Sequence, residues 1–159
     1  MSPRGLVIGS FTSVSLEPAL VAFFVKQAST SWQDLKAHGR FCVNVLTTEQ
    51  AACVSRFSKG DVSRRFDGLV LLEPADESAP HPPRIAHCAA WVDADVVKEI
   101  ELGDHLMVLG RVTNMSAGEP AHSPLVFAQG RLQRPQALTP SLGADHFEHW
   151  ESTLLALLP

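Results

Sequence analysis

The sequence predicts a mainly β fold with helices, an antiparallel barrel decorated by helices and not a βαβ array. Three observations predict it. Short apolar runs bounded by turn residues recur from residue 5 to residue 132. Two capped helical stretches are inserted early and a third is appended late, so strands and helices do not alternate. Gly103-Asp104 separates two long β-rich runs, as a hairpin turn would.

In chain order, residues 5–14 alternate, with Leu6, Ile8 and Phe11 bracketing small residues, which predicts a first strand. Ser15-Leu16-Glu17-Pro18 reads as a turn, and the unbroken apolar run 20–25 as a strand buried on both faces. Thr30 with Gln33 forms a capping box that opens a short helix ending at Gly39. Residues 41–46 form the next strand. Thr47 with Gln50 repeats the box; Cys53, Val54 and Phe57 follow at helical spacing, and Gly60 stops that helix.

Arg64-Arg65-Phe66-Asp67 suggests a brief helical turn and residues 69–72 a strand. Prolines at 74, 80, 82 and 83 make 73–84 a loop. Strands are expected over 85–97, 105–115 and 124–132, about seven in all. Residues 133–143 read as a proline-bearing linker, and Phe147, Trp150, Leu154, Leu155 and Leu158 as one stripe of a final helix. The expected division is a domain over 1–132 and a linker with a helix over 133–159.

Composition narrows the function. Hydrophobic residues at 45% and charged residues at 19% describe an ordinary globular chain of one-domain length. A net charge of -4 argues against nucleic acid, whose phosphates need a basic face. No apolar run approaches the ~20 residues of a membrane span, and no signal peptide is evident. Cys42, Cys53 and Cys88 show no CxxC pair and read as buried thiols of a reducing cytoplasm.

Three constellations could carry chemistry. Ser10, Thr12, Ser13 and Ser15 place four hydroxyls within six residues at a strand end. They fit a turn that satisfies its own backbone, or a shelf where a flat ring lies against exposed N–H groups. Ser29, Thr30 and Ser31 precede a helix; capping needs only one of them, and a phosphate could use the others. His105 follows the Gly103-Asp104 turn, as an exposed turn residue or a site residue. No GxGxxG, GxSxG or HExxH is present, the remaining histidines lack metal-ligand spacing, and no metal is expected.

Taken in order, these segments resemble the flavin reductase family, the reductase components of two-component flavin-dependent monooxygenases. The likeness runs through Gly9-Ser-Phe-Thr-Ser-Val-Ser-Leu-Glu-Pro18, Ala28-Ser-Thr-Ser-Trp32, Gly39-Arg-Phe-Cys-Val-Asn-Val-Leu46, Arg56-Phe57 and Phe66. It continues through Gly103-Asp104-His105, Gly110-Arg111-Val112 and Pro124-Leu-Val-Phe127 with Gly130.

The resemblance implies an FMN-binding split β-barrel, antiparallel and Greek-key-like, that forms a cytoplasmic homodimer. It implies hydride transfer from NADH or NADPH to FAD or FMN, and delivery of the reduced flavin to a partner monooxygenase. Gly9, Ser10, Phe11, Thr12, Ser13, Val14 and Ser15 would hold the ring and ribityl chain. Ser29, Thr30 and Ser31 would hold the phosphate, and Arg56, Phe57, Ser58 and Lys59 would flank it. His105 would help place the nicotinamide.

Family members carry a further helix and strand ahead of this hairpin, so the barrel is expected to lack its first strand. That leaves two alternatives open, a non-catalytic flavin-binding module and another split-barrel flavin oxidase.

Overall fold

The computed structural model describes residues 3–73 and 81–136. Nine strands and two α-helices are seen there: β1 (Thr12–Leu16), β2 (Ala19–Lys26), α1 (Thr30–Lys36), β3 (Arg40–Val45), α2 (Ala51–Lys59), β4 (Leu71–Leu72), β5 (Arg84–Ile85), β6 (Ala90–Leu102), β7 (His105–Ala117), β8 (Val126–Ala128) and β9 (Arg131–Gln133). Five of the strands form one antiparallel sheet in the order β1-β2-β7-β6-β3; β4-β5 and β8-β9 are separate ribbons. Among the described residues the sheet stays open. Leu46 and Thr48 exchange backbone hydrogen bonds with Leu125 and Ser123, which prolongs the β3 edge.

One face of the sheet is the core. Val21, Phe23 and Val25 of β2 alternate inward, where they meet Val108 and Leu106 of β7 and Ala94 of β6. Phe23 lies edge-on to Trp32 of α1 and to Phe41 of β3, with ring centroids 5.4 and 5.3 Å apart. Trp32 is only 1% exposed, and its indole N–H donates to Glu99 of β6, so α1 is clamped over this face. Burying a side chain of that size contributes on the order of 3 kcal/mol. At Gly110 a Cβ would lie 2.6 Å from Phe41 Cζ; the absent side chain is what lets that ring reach β7. A second cluster of Cys53 and Phe57 of α2 with Ile85, Cys88 and Trp91 fixes α2 to the sheet.

Several sequence expectations need correction. The first strand begins at Thr12, not residue 5. Leu6, Ile8 and Phe11 do pack on the core, but as irregular chain, because the Ser10 hydroxyl takes ladder positions by accepting from Phe24 N–H at 2.9 Å and donating to Phe24 O at 3.3 Å. The turn is only Glu17-Pro18, a cis peptide, with Ser15 and Leu16 inside β1. Phe24 is 38% exposed, so β2 is not buried on both faces. Ser29, one residue before the expected Thr30, caps α1 by accepting from Trp32 N–H at 3.2 Å.

The Thr47–Gln50 box is present, opening a 3-10 turn that runs into α2, and Gly60 ends α2. The run 85–97 breaks at 86–89, where His87 sits at φ 62°; β6 begins only at Ala90. The run 124–132 is a hairpin turned by Gln129 and Gly130, both at positive φ. The expected final helix lies outside the described residues.

Candidate functional site

Four separate segments meet at one end of the sheet, where β2 finishes and β7 starts. Ser10 brackets Phe24, two residues before Lys26, which pairs with His105 at the start of β7. The chain then turns through Gln27 into the α1 cap, held by Ser29 N–H donating to Lys26 O at 2.9 Å. Gln27 N–H donates to Asp104 O at 3.1 Å, which ties this turn to the β6–β7 hairpin. The sheet thereby gathers the segment around Ser10, the hydroxyls of 29–31 and His105, three groups far apart in sequence.

The fourth member is a residue the sequence did not single out. Arg65 is only 7% exposed, and its Nη1 donates to Gly5 O at 2.6 Å and to Ser31 Oγ at 3.0 Å. Its Nε is buried without a partner, and no carboxylate among the described residues pairs with it. A guanidinium is never neutral in a protein, so burial without an anion is costly. The only hint in the sequence was a basic pair, Arg64-Arg65, directly before an apolar Phe66. Phe66 packs on Phe57 at 5.0 Å and thereby draws Arg65 inward.

The stretch Arg56 to Lys59 divides. Phe57 is core, packed against Gly5 and Phe66. The Ser58 hydroxyl donates to Val54 O of its own helix at 2.7 Å. Arg56 Nη1 donates to Asp67 O at 2.7 Å, and Arg56 and Lys59 are exposed. A shallow hollow lined by Arg56, Gly60, Asp61, Arg64 and Asp67 lies beside them.

The segment Gly9 to Ser15 is largely accessible, with Gly9, Thr12, Ser13 and Val14 exposed and Phe11 packed on the core. Ser29 is committed to capping, while Thr30 is exposed and Ser31 accepts from Arg65. His105 stands half-buried on the outer face of the sheet, in register with Lys26 and Leu102. Next to them Phe24, Met107 and Ile100 form one apolar register row, and the row beyond holds buried Ala22, Leu109 and exposed Lys98.

Burial pushes the Cys42 thiol well up, with Asp93 adding to the shift, and pushes Cys88 up to about 11, so neither is a thiolate near neutrality. Among the described residues no group of three His, Cys, Asp or Glu could hold a metal ion, and no helix is long and apolar enough to cross a membrane.

Comparison with known proteins supplies a frame for this geometry. Residues 1–136 match the family described as the flavin reductase like domain. A flavin reductase of Pseudomonas putida is 41% identical over 126 residues, covering 79% of this chain and 71% of that protein. The reductase subunit HsaB of a flavin-dependent monooxygenase from Mycobacterium tuberculosis is 35% identical over 161 aligned residues, 98% of this chain and 79% of that one. Among solved structures, the Streptomyces globisporus NADH:FAD oxidoreductase SgcE6, in complex with NAD and FAD fragments, superposes with a TM-score of 0.73 at 31% identity. That match covers 88% of this chain and 80% of that one. The flavin reductases among the solved structures have the split-barrel fold expected from the sequence.

Proposed function

The chain belongs to the flavin reductase like family, and from that membership we propose that it is an NAD(P)H:flavin oxidoreductase supplying reduced FAD or FMN to a partner monooxygenase. The observation that carries the reading is that the segments bearing Ser10, Ser31 with buried Arg65, and His105 are tied together by hydrogen bonds at the end of the sheet where β2 finishes and β7 starts. The residues suit the ligand. Arg65 places a guanidinium beside Ser31 at the start of α1, and a flavin phosphate is the kind of acceptor such a cation takes. Phe24, Met107 and Ile100, one register row, offer apolar ground for a fused ring.

When bound, the flavin supplies the two-electron acceptor for a nicotinamide hydride, so the chain needs neither nucleophile nor metal. Its own residues bind and orient. Gly9 to Ser15 present small side chains and backbone to the ring and ribityl chain. Thr30, Ser31 and Arg65 hold the phosphate, while Ser29 keeps their helix end in shape. Arg56 and Lys59 are the exposed cations for the far part of a dinucleotide, which favours FAD. His105, at the rim, places the nicotinamide. The protein acts as a homodimer in a reducing cytoplasm, consistent with three free thiols.

Purified protein is mixed with FAD or FMN and with NADH or NADPH, and loss of reduced-nicotinamide absorbance is followed. Flavin-dependent loss with no further substrate is expected. Flavin binding without turnover would reduce the chain to a binding module, and failure to bind either flavin would overturn the reading.

A further inference from the structure

The β6–β7 hairpin carries one more group directed at the site. Asp104 Oδ1 lies 2.7 Å from His105 Nδ1. Contacts between exposed neighbours are usually loose, but the backbone here is held. Gln27 N–H donates to Asp104 O, and Gln27 Nε2 donates to Gly103 O, both at 3.1 Å, while Gly103 turns the chain at φ 64°. The carboxylate therefore starts from a fixed base. It is also held below the usual range for an aspartate, first by the His105 hydrogen bond and then by the charge of that ring.

We propose that Asp104 is a positioning residue: it keeps the proton of neutral His105 on Nδ1 and leaves Nε2 as the ring nitrogen that meets the carboxamide of the nicotinamide. The choice of tautomer is set by the hydrogen bond that the other nitrogen makes. With Nδ1–H donating to Asp104, a neutral Nε2 accepts, and the carboxamide NH2 is the donor it suits. Of the two residues in register with His105, Lys26 from β2 is charged and Leu102 from β6 is not. This rests on the reading of His105 as the nicotinamide-side residue.

The test uses the full chain. Long-range 1H–15N correlation above neutral pH is expected to show His105 as the Nδ1–H form, and D104A to shift it toward the Nε2–H form that a free imidazole prefers. D104N keeps an acceptor oxygen and is expected to retain Nδ1–H. In steady state, D104A should raise KM for the reduced nicotinamide about fivefold with the flavin dissociation constant unmoved, and D104N should largely restore it. An Nε2–H ring in the unmodified protein, or a tautomer indifferent to D104A, overturns the proposal. Absence of any nicotinamide oxidation by the unmodified protein would instead sink the reductase reading, and the tautomer experiment would still decide what Asp104 does.

Discussion

Arg65 has a double identity. Its guanidinium is buried and, among the described residues, one nitrogen finds no partner, a destabilising arrangement. An anion at Ser31 would reverse that sign, so Arg65→Met separates binding from folding. The substitution is expected to weaken FMN binding by at least about tenfold, the worth of a charge-assisted hydrogen bond. Riboflavin, which has no phosphate, should bind nearly as before, and the melting temperature of the empty protein should hold or rise. Calorimetry with both flavins and a thermal melt check it; an equal loss for riboflavin would refute the phosphate contact. Such residues are hard to read in a sequence because their meaning is three-dimensional. Arg65 matters through Gly5 and Ser31, 60 and 34 positions away. Gly110 likewise matters through Phe41. The hydroxyls of 10–15 and 29–31 were legible because they cluster locally, and His105 because a turn announces it.

At the scale of elements, the start of α1 was read to within one residue, and that residue has consequences. Thr30 with Gln33 looks like a capping box, yet Ser29 Oγ receives the Trp32 N–H. Adjacent hydroxyls compete for one role, and sequence spacing cannot choose between them when either satisfies the backbone. The geometry divides their work. Ser29→Ala removes a cap and should cost about 1 kcal/mol of stability, measured by denaturant unfolding. Thr30→Ala, exposed and not capping, should leave stability within about 0.5 kcal/mol while weakening FMN but not riboflavin. Reversal of the two stability effects would return the cap to Thr30. The first strand was misplaced for a related reason. Leu6, Ile8 and Phe11 are apolar because they pack on one core cluster, as Val7 does on the other, and that packing holds without a ladder.

At the scale of the molecule, strand content and hairpin order could be read from the sequence, but the pairing of β2 with β7 and β3 with β6 could not, because both join segments far apart in the chain. The pairing creates the last prediction. An antiparallel sheet with one face on a core and one in water should alternate apolar with polar. The outer face departs from this in one row: Phe24 of β2 lines up with Met107 of β7 and Ile100 of β6, flanked by Lys98 in the next row, and Phe24 remains 38% exposed. Such a face asks for a cover, and the proposed cover is a second copy, which would enclose the ring site from the side opposite α1. Phe24→Glu would bury an unpaired carboxylate there, at a cost of several kcal/mol, enough to raise the dimer dissociation constant more than about a hundredfold. Light scattering coupled to size exclusion should show a dimer for the unmodified protein and a monomer for Phe24→Glu. Flavin affinity should fall in parallel, since each site would lose a wall. A monomeric unmodified protein at micromolar concentration that still binds flavin would show that the face serves the ring alone.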